Sequence, residues 1–322
     1  MQAVWSGDGE FAAARAGSGF FLLAEVGSGY ECTIMANNAA ASRLAVPKTL
    51  KLFIGGKFPR TESGRVLTAA GPRGAHLAHY CQASKKDLRD AVVAARKAAP
   101  GWAGSTAYLR SQIIYRLAEM LESRAGSLTE ELAAATGQKP AAAAAEVSAA
   151  VDLLVHLAGW PDKLPQLFGS VNPVAAPYFN FSALESQGVM VLFAPDAEPL
   201  LGAVALIGAA LTAGNACVLV ASDRFPTPAI SLAEAIATSD VPGGAVNILT
   251  GRRAELSACA AEHHDIDGIV DASGDAALGA VLQAGAAVNL KRVQTWPGVR
   301  SVSPYQLLAM METKTTWHPV GG

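Results

Sequence analysis

Gly188-Val189-Met190-Val191-Leu192-Phe193-Ala194-Pro195-Asp196-Ala197-Glu198-Pro199 opens the stretch that decides the fold, and Gly214-Asn215-Ala216-Cys217-Val218-Leu219-Val220-Ala221-Ser222-Asp223 continues it. Between them lies an unbroken apolar run of helix length. A β-rich apolar run, an acidic break between two prolines, a helix, a Gly-Asn break and a second β-rich run make one strand–helix–strand unit. The alternation persists to Gly298. Strand-like runs fall at 189–193, 216–221, 246–249, 266–270 and 290–295, with helical segments at 200–213, 228–239, 254–264 and 276–287 between them. Thr227-Pro228 supplies an N-cap followed by proline at the first helical position. Such alternation predicts an α/β fold, a doubly wound parallel sheet with right-handed crossovers. Sheets of this kind take ligands beyond the carboxyl ends of their strands.

Outward from this core, the preceding residues read as helical packing. Ser84-Lys85-Lys86-Asp87 resembles a capping box, and Leu88, Ala91, Val92 and Ala95 share one face of a helix that should end before Pro100-Gly101. A second helix spans about 106–124. Ser127-Leu128-Thr129-Glu130 reads as the cap of a third, which stops at Gly137, and 141–159 forms a fourth, rich in alanine. Lys51-Leu52-Phe53-Ile54-Gly55-Gly56-Lys57-Phe58 reads as a hairpin about a Gly-Gly turn, and residues 170–186 as extended chain or a second hairpin. Residues 1–47, rich in Gly, Ala and Ser, read as a mobile extension or as the product of a misassigned translation start. The domain boundaries expected are 1–47, 48–298 and 299–322.

Composition excludes several classes. Of 322 residues 51% are apolar and 16% charged, which argues a folded chain with a large core. A net charge of −2 gives no general pull toward nucleic acid or an anionic membrane. Cys32, Cys81, Cys217 and Cys259 lack metal-ligand spacing, so no metal site and no disulfide framework is expected, and a cytoplasmic location fits. The apolar run 200–211 is too short for a membrane span of about 20 residues, and the acidic Asp8 and Glu10 argue against a signal peptide. His263-His264-Asp265 reads as a solvated helix end, Lys291-Arg292 as a strand-end surface pair, and His76 and His79 as members of a connecting segment.

The order and spacing of Pro195–Pro199, Gly214-Asn215, Val220–Asp223 and Val241-Pro242-Gly243-Gly244-Ala245-Val246-Asn247 resemble four motifs of the aldehyde dehydrogenase superfamily: Pro-Trp-Asn-Phe-Pro, Ala-Gly-Asn, Lys-Pro-Ser-Glu and Pro-Gly-Val-Val-Asn. The resemblance runs over about 51–298 and again in the tail Met311-Glu312-Thr313-Lys314-Thr315-Thr316-Trp317-His318-Pro319, which resembles the family's C-terminal assembly strand. Residues 51–65 and 171–181 are most similar to a branch with paired dehydrogenase-like units, one of which lacks the cysteine. The resemblance implies a nucleotide-binding domain of Rossmann-like type, an NAD(P) cofactor and a thiolate mechanism. That mechanism needs a cysteine nucleophile, an oxyanion donor, a general base and a bound nicotinamide.

Position by position the chain departs from those needs. Ala197 stands for the oxyanion Asn, Val220 for the ribose-binding Lys and Trp296 for the basic Glu. Asp275 stands for a phosphate-facing Ser in Ser273-Gly274-Asp275-Ala276-Ala277-Leu278-Gly279. No cysteine follows Cys259, which implies that the catalytic domain is missing. No catalytic residue is therefore assigned. Ser222, Gly274 and Gly279 remain as vestigial cofactor contacts, with NAD(P) doubtful and no metal. The leading expectation is a noncatalytic subunit, a pseudoenzyme that forms a homo-oligomer or a hetero-oligomer with a full-length aldehyde dehydrogenase, binding neither nucleic acid nor membrane. The alternatives are an NAD(P)-dependent oxidoreductase acting on aldehydes, its site completed by a partner, and a vestigial nucleotide-binding module.

Overall fold

The computed structural model describes residues 14–16, 19–26, 29–33, 46 and 48–321. The chain divides into two compact units, Met1–Val46 and Pro47–Gly322. In the first, strands β1 (Ala14–Ala16), β2 (Gly19–Val26) and β3 (Gly29–Thr33) pair antiparallel. The mobile extension expected for 1–47 otherwise lies outside the described residues.

The second unit opens with β4 (Thr49–Leu50), β5 (Val66–Ala70) and β6 (His76–Cys81), a small sheet in the order β4-β6-β5. His76 and His79 thus stand on a strand and not on a connecting segment. The Gly55-Gly56 turn forms as expected. Both residues have positive φ, at 61° and 77°, the region a two-residue hairpin turn requires. Its flanks are single bridges, Ile54 to Lys57 and Phe53 to Ile248, so the segment docks on the main sheet instead of forming a free hairpin.

Helices α1 (Lys85–Ala103), α2 (Ala107–Glu122), α3 (Ala125–Thr136) and α4 (Pro140–Ala158) follow, then α5 (Lys163–Phe168). The Ser84 capping box is present, with Asp87 Oδ2 accepting from Ser84 N at 2.8 Å and from Thr61 Oγ1 at 2.6 Å. Helix α1 does not stop before Pro100, which lies inside its last turns. Proline costs a helix interior about 3 kcal/mol. Here Trp102, 1% exposed and donating from Nε1 to Leu211 O at 3.1 Å, anchors the final turn in the core. Helix α3 begins at Ala125 behind Arg124, so Ser127 lies in its first turn and is not the cap. Gly137 closes it in the left-handed conformation.

Strands β7 (Ser170–Asn172) and β8 (Tyr178–Ser186) form the second hairpin. The main alternation is β9 (Val189–Phe193), α6 (Pro199–Thr212), β10 (Ala216–Val220), α7 (Thr227–Ala237), β11 (Val246–Leu249), α8 (Arg253–Glu262), β12 (Gly268–Asp271), α9 (Ala276–Ala287) and β13 (Arg292–Thr295). Helix α10 (Pro304–Ala309) and β14 (Met311–Pro319) end the described chain. Thr227 is the first residue of α7 and not its cap. Pro226 holds the cap position, and the buried Thr227 hydroxyl has no partner.

All five main strands pair parallel in the order β11-β10-β9-β12-β13. This is the doubly wound sheet expected. Each central strand feeds two cores. Met190, Leu192, Cys217 and Leu219 face one cluster with α2, α4, α6 and α7. Val189, Val191, Phe193, Val218 and Val220 face the other with α1, α8 and α9. Burial on both faces explains why the strands read as continuous apolar runs. All fourteen residues of α6 are buried, and each of its larger aliphatic side chains contributes about 1.5–3 kcal/mol. Helix α4, at 19 residues with mean hydropathy 1.5, is long and apolar enough to cross a membrane. Here it packs on α2, α3 and α6 and carries the buried carboxylate Glu146.

The two asparagines of the sequence motifs act as structural ties. Asn215, fully buried, accepts from Gly188 N at 2.8 Å and donates to Met310 O at 2.9 Å. It joins the start of β9 to the segment that leads into β14. Asn247 accepts from Gly55 N at 2.9 Å and donates to Gly244 O at 2.8 Å and Cys217 O at 3.2 Å. Arg292 also reaches this tail. It donates to Met311 O at 3.0 Å and pairs with Glu312, which makes it more than a strand-end surface residue.

Candidate functional site at the sheet switch point

The strand order reverses between β9 and β12, because β9 leads by way of α6 to β10 on one side while β12 lies on the other. The crevice beyond the carboxyl ends at such a point is the usual ligand site of an open α/β sheet. Here it is a cavity of about 990 Å³, lined by Asp196, Ala197 and Glu198 after β9, Ser273 and Gly274 after β12, and Trp296 after β13. Ala197, Gly274 and Trp296 are thus brought together. Val220 and Gly279 are not in the lining.

The loop after β9 bends sharply. Glu198 has φ 52°, uncommon for a residue with a side chain, and pairs with Arg300. Ala197 offers no side-chain donor, and Trp296, 4% exposed, gives its indole N–H to Gln294 Oε1 at 3.2 Å. Neither can stabilise an oxyanion or accept a proton.

Sequence reasoning passed over Arg253, which organises this end of the sheet. Its side chain is 10% exposed, and it is the only buried cation among the described residues. Nη1 donates to Ala194 O at 2.8 Å, Nη2 to Asp196 Oδ1 at 2.5 Å and Nε to Asp223 Oδ1 at 3.0 Å. Its backbone N–H also donates to Asp223, at 3.0 and 3.1 Å. Burial raises the Asp223 carboxyl above its ordinary range, and the bonds from Arg253 oppose that shift. The missed signal was a basic residue at a helix start, where the dipole disfavours cations, near two aspartates that follow strands.

Of the expected cofactor contacts, Ser222 is buried and committed. Its Oγ donates to Asp196 Oδ1 at 2.6 Å and accepts from Phe225 N at 2.9 Å. Gly274 turns with φ 73° before α9, and a Cβ there would meet nothing. Gly279 lies one turn inside α9, where a Cβ would sit 3.4 Å from the carboxylate of Asp271. Asp275 caps α9, accepting from Ala277 N at 2.9 Å and Leu278 N at 3.2 Å.

A second overlooked residue is the acid Glu146, 5% exposed on α4. Oε1 accepts from Leu200 N at 3.0 Å and Leu201 N at 3.3 Å, and Oε2 from Gln138 Nε2 at 3.1 Å. It caps α6 from a neighbouring helix. Burial raises its carboxyl, with the hydrogen bonds pulling the other way. Its spacing of three from Ala143 and four from Ala150, both buried, was the readable clue.

Neither Cys217 nor Cys259 lines the cavity. Cys217 lies wholly inside β10, where burial pushes its thiol well above the ordinary range. Among the described residues no group of three or more His, Cys, Asp or Glu is arranged to hold a metal ion.

Sheet, switch point and acid-lined crevice define a doubly wound α/β domain of the kind that binds nucleotides. The model of the Aldehyde dehydrogenase family matches residues 60–302, and the chain belongs to that family. Mouse retinal dehydrogenase 2 is 32% identical over 261 residues, covering 79% of this chain and 49% of the mouse protein. An Aspergillus niger aldehyde dehydrogenase is 29% identical over 254 residues, 78% of this chain and 50% of its own. The solved NAD+ complex of the Bacillus cereus aldehyde dehydrogenase is 29% identical with a TM-score of 0.72, covering 77% of this chain and 50% of that one. The chain therefore spans about half the length of the relatives it matches.

The residues present do not meet the needs of a dinucleotide. A pyrophosphate takes free N–H groups at a helix start, and here Asp275 holds two of them. Asp196 and Glu198 also line the crevice, paired with Arg253 and Arg300.

Proposed function

We propose that this chain is a noncatalytic aldehyde dehydrogenase-like subunit that assembles with itself or with a complete aldehyde dehydrogenase. The observation that carries the reading is strand β14. It pairs along nine residues with β8, and its other edge has no strand beside it among the described residues. Eight of its nine residues are exposed. Trp317, 58% exposed, packs its ring edge-on against Tyr178 at 5.9 Å. An edge of this length is a template for strand addition. Ala197 and Trp296 support the noncatalytic half of the reading, since each places an inert group in the crevice.

The test is size-exclusion chromatography with light scattering at micromolar concentration, alone and mixed with a complete aldehyde dehydrogenase. A dimer or larger species, or co-elution with the enzyme, is expected. A stable monomer that binds no dehydrogenase refutes the reading. A second reading is favoured by one observation, the size of the crevice, which at about 990 Å³ is at the upper end for small-molecule sites. It is an NAD(P)-dependent oxidoreductase acting on aldehydes, its site completed by a partner. Aldehyde-dependent NAD(P)H formation by the mixture, above that of the partner alone, would establish it.

A further inference from the structure

We infer that this chain bars pyrophosphate-bearing nucleotides from its switch-point crevice with its own side chains. Asp275 occupies the start of α9, and Arg253, the buried cation at this end of the sheet, is committed to Asp196 and Asp223. Three observations converge.

The first is occupancy. The N–H groups of Ala277 and Leu278, which point out of the start of α9, are already bonded to Asp275 Oδ1. A phosphate must displace that carboxylate to reach them. The second is sign. Asp196 and Glu198 line the crevice, Asp271 lies buried at the end of β12 and Asp275 sits at the cap. Within the crevice itself the carboxylates a phosphate meets are Asp196 and Glu198, with Asp275 next in sequence to the lining residue Gly274. The third is the fate of the cations. Arg253 bonds Asp223, Ala194 and Asp196 through Nε, Nη1 and Nη2, and Arg300, the cation that lines the crevice, is paired with Glu198 while its side chain stays 75% exposed. Like charges at short range in a partly desolvated site are strongly unfavourable.

Arg253 acts here as a positioning residue. It holds the two aspartates at the ends of β9 and β10, so the negative wall is part of the folded sheet. Exclusion and assembly are read by different assays, so either reading can fail while the other stands.

The test uses the full chain with NAD, ADP and adenosine as probes, by isothermal titration calorimetry and thermal shift. The native chain is expected to show no binding of NAD or ADP at millimolar concentration. Asp275→Gly frees both N–H groups, and glycine is itself tolerated at a helix cap. Asp275→Asn keeps the cap's shape and removes its charge. Asp275→Gly combined with Asp196→Asn should gain about tenfold or more in affinity for NAD and ADP, a change of about 1.4 kcal/mol, and Asp275→Asn with Asp196→Asn, which leaves the N–H groups occupied, should gain less. Adenosine, which carries no phosphate, should gain nothing. A native chain that binds NAD with a dissociation constant below about 1 mM overturns the inference. So do folded variants that still ignore NAD and ADP, or a gain shared equally by adenosine.

Discussion

Replacing Arg253 with methionine keeps much of the aliphatic packing and deletes the guanidinium. Its cost follows from what is left behind. The Ala194 carbonyl, on a residue 1% exposed, loses the bond from Nη1. A buried group left unpaired costs about 1–3 kcal/mol. Asp196 and Asp223 lose their counter-ion. Breaking a fully buried ion pair from one side costs about 3–5 kcal/mol. These two carboxylates keep 40% and 36% of their side-chain exposure, so water replaces much of the lost attraction. The combined loss should be about 3 kcal/mol. Urea unfolding, followed by far-ultraviolet circular dichroism, would measure it, with the midpoint falling and the slope unchanged. Asp223→Asn made alone and together with Arg253→Met completes a double-mutant cycle, which should show a coupling of about 1 kcal/mol or more. A loss below about 1 kcal/mol with additive single variants would show that solvent carries these charges and that Arg253 organises nothing.

Glu146 makes a pH prediction. Its carboxyl is raised above the ordinary value of 4.5 chiefly by burial, so the folded state holds that proton more firmly than the unfolded one. The stability it confers is complete below about 4.5 and is lost as pH rises through the folded value. The melting temperature of Glu146→Gln should therefore gain on the native chain as pH rises from about 4.5 toward 7, and a pH-independent difference would contradict the assignment. Asn215→Ala leaves the half-buried Gly188 N and the fully buried Met310 O unpaired. It should cost about 2–4 kcal/mol, measured by chemical unfolding, and a loss under about 0.5 kcal/mol would mean the tie to the C-terminal segment carries no load.

Much of the fold was legible because its signals are local. The runs at 189–193, 216–221 and 246–249 coincide within a residue with β9, β10 and β11. Gly137 and the Ser84 capping box closed and opened helices where local chemistry said they should. The misreadings share a cause. Local rules place helix boundaries at Pro100 and Ser127, yet α1 runs on because Trp102 is held in the core, and α3 begins earlier, behind Arg124. The strands β5 and β6 show no clean alternation, and their burial is mixed.

The candidate site divides the same way. Ala197, Asp275 and Trp296 were visible as departures from a motif, and each stands at the end of a strand or the start of a helix as the spacing implied. Arg253 and Glu146 were not visible as functional residues. Arg253 meets Asp196, 57 positions away, and Glu146 meets Leu200, 54 positions away, only when β9, β10 and α8 or α4 and α6 are packed.

By itself, then, the sequence determined the class of fold and the order of the elements, because periodicity and caps are properties of the chain, and it put Ala197, Val220 and Trp296 at the motif positions. Only the tertiary structure decided how the remaining polar groups are used. Ser222 looks available for a ribose until Asp196 is seen to hold it, and Arg253 looks free until both aspartates close on it. Hydrogen-bond capacity is finite, and which partner uses it depends on distances that no local pattern encodes.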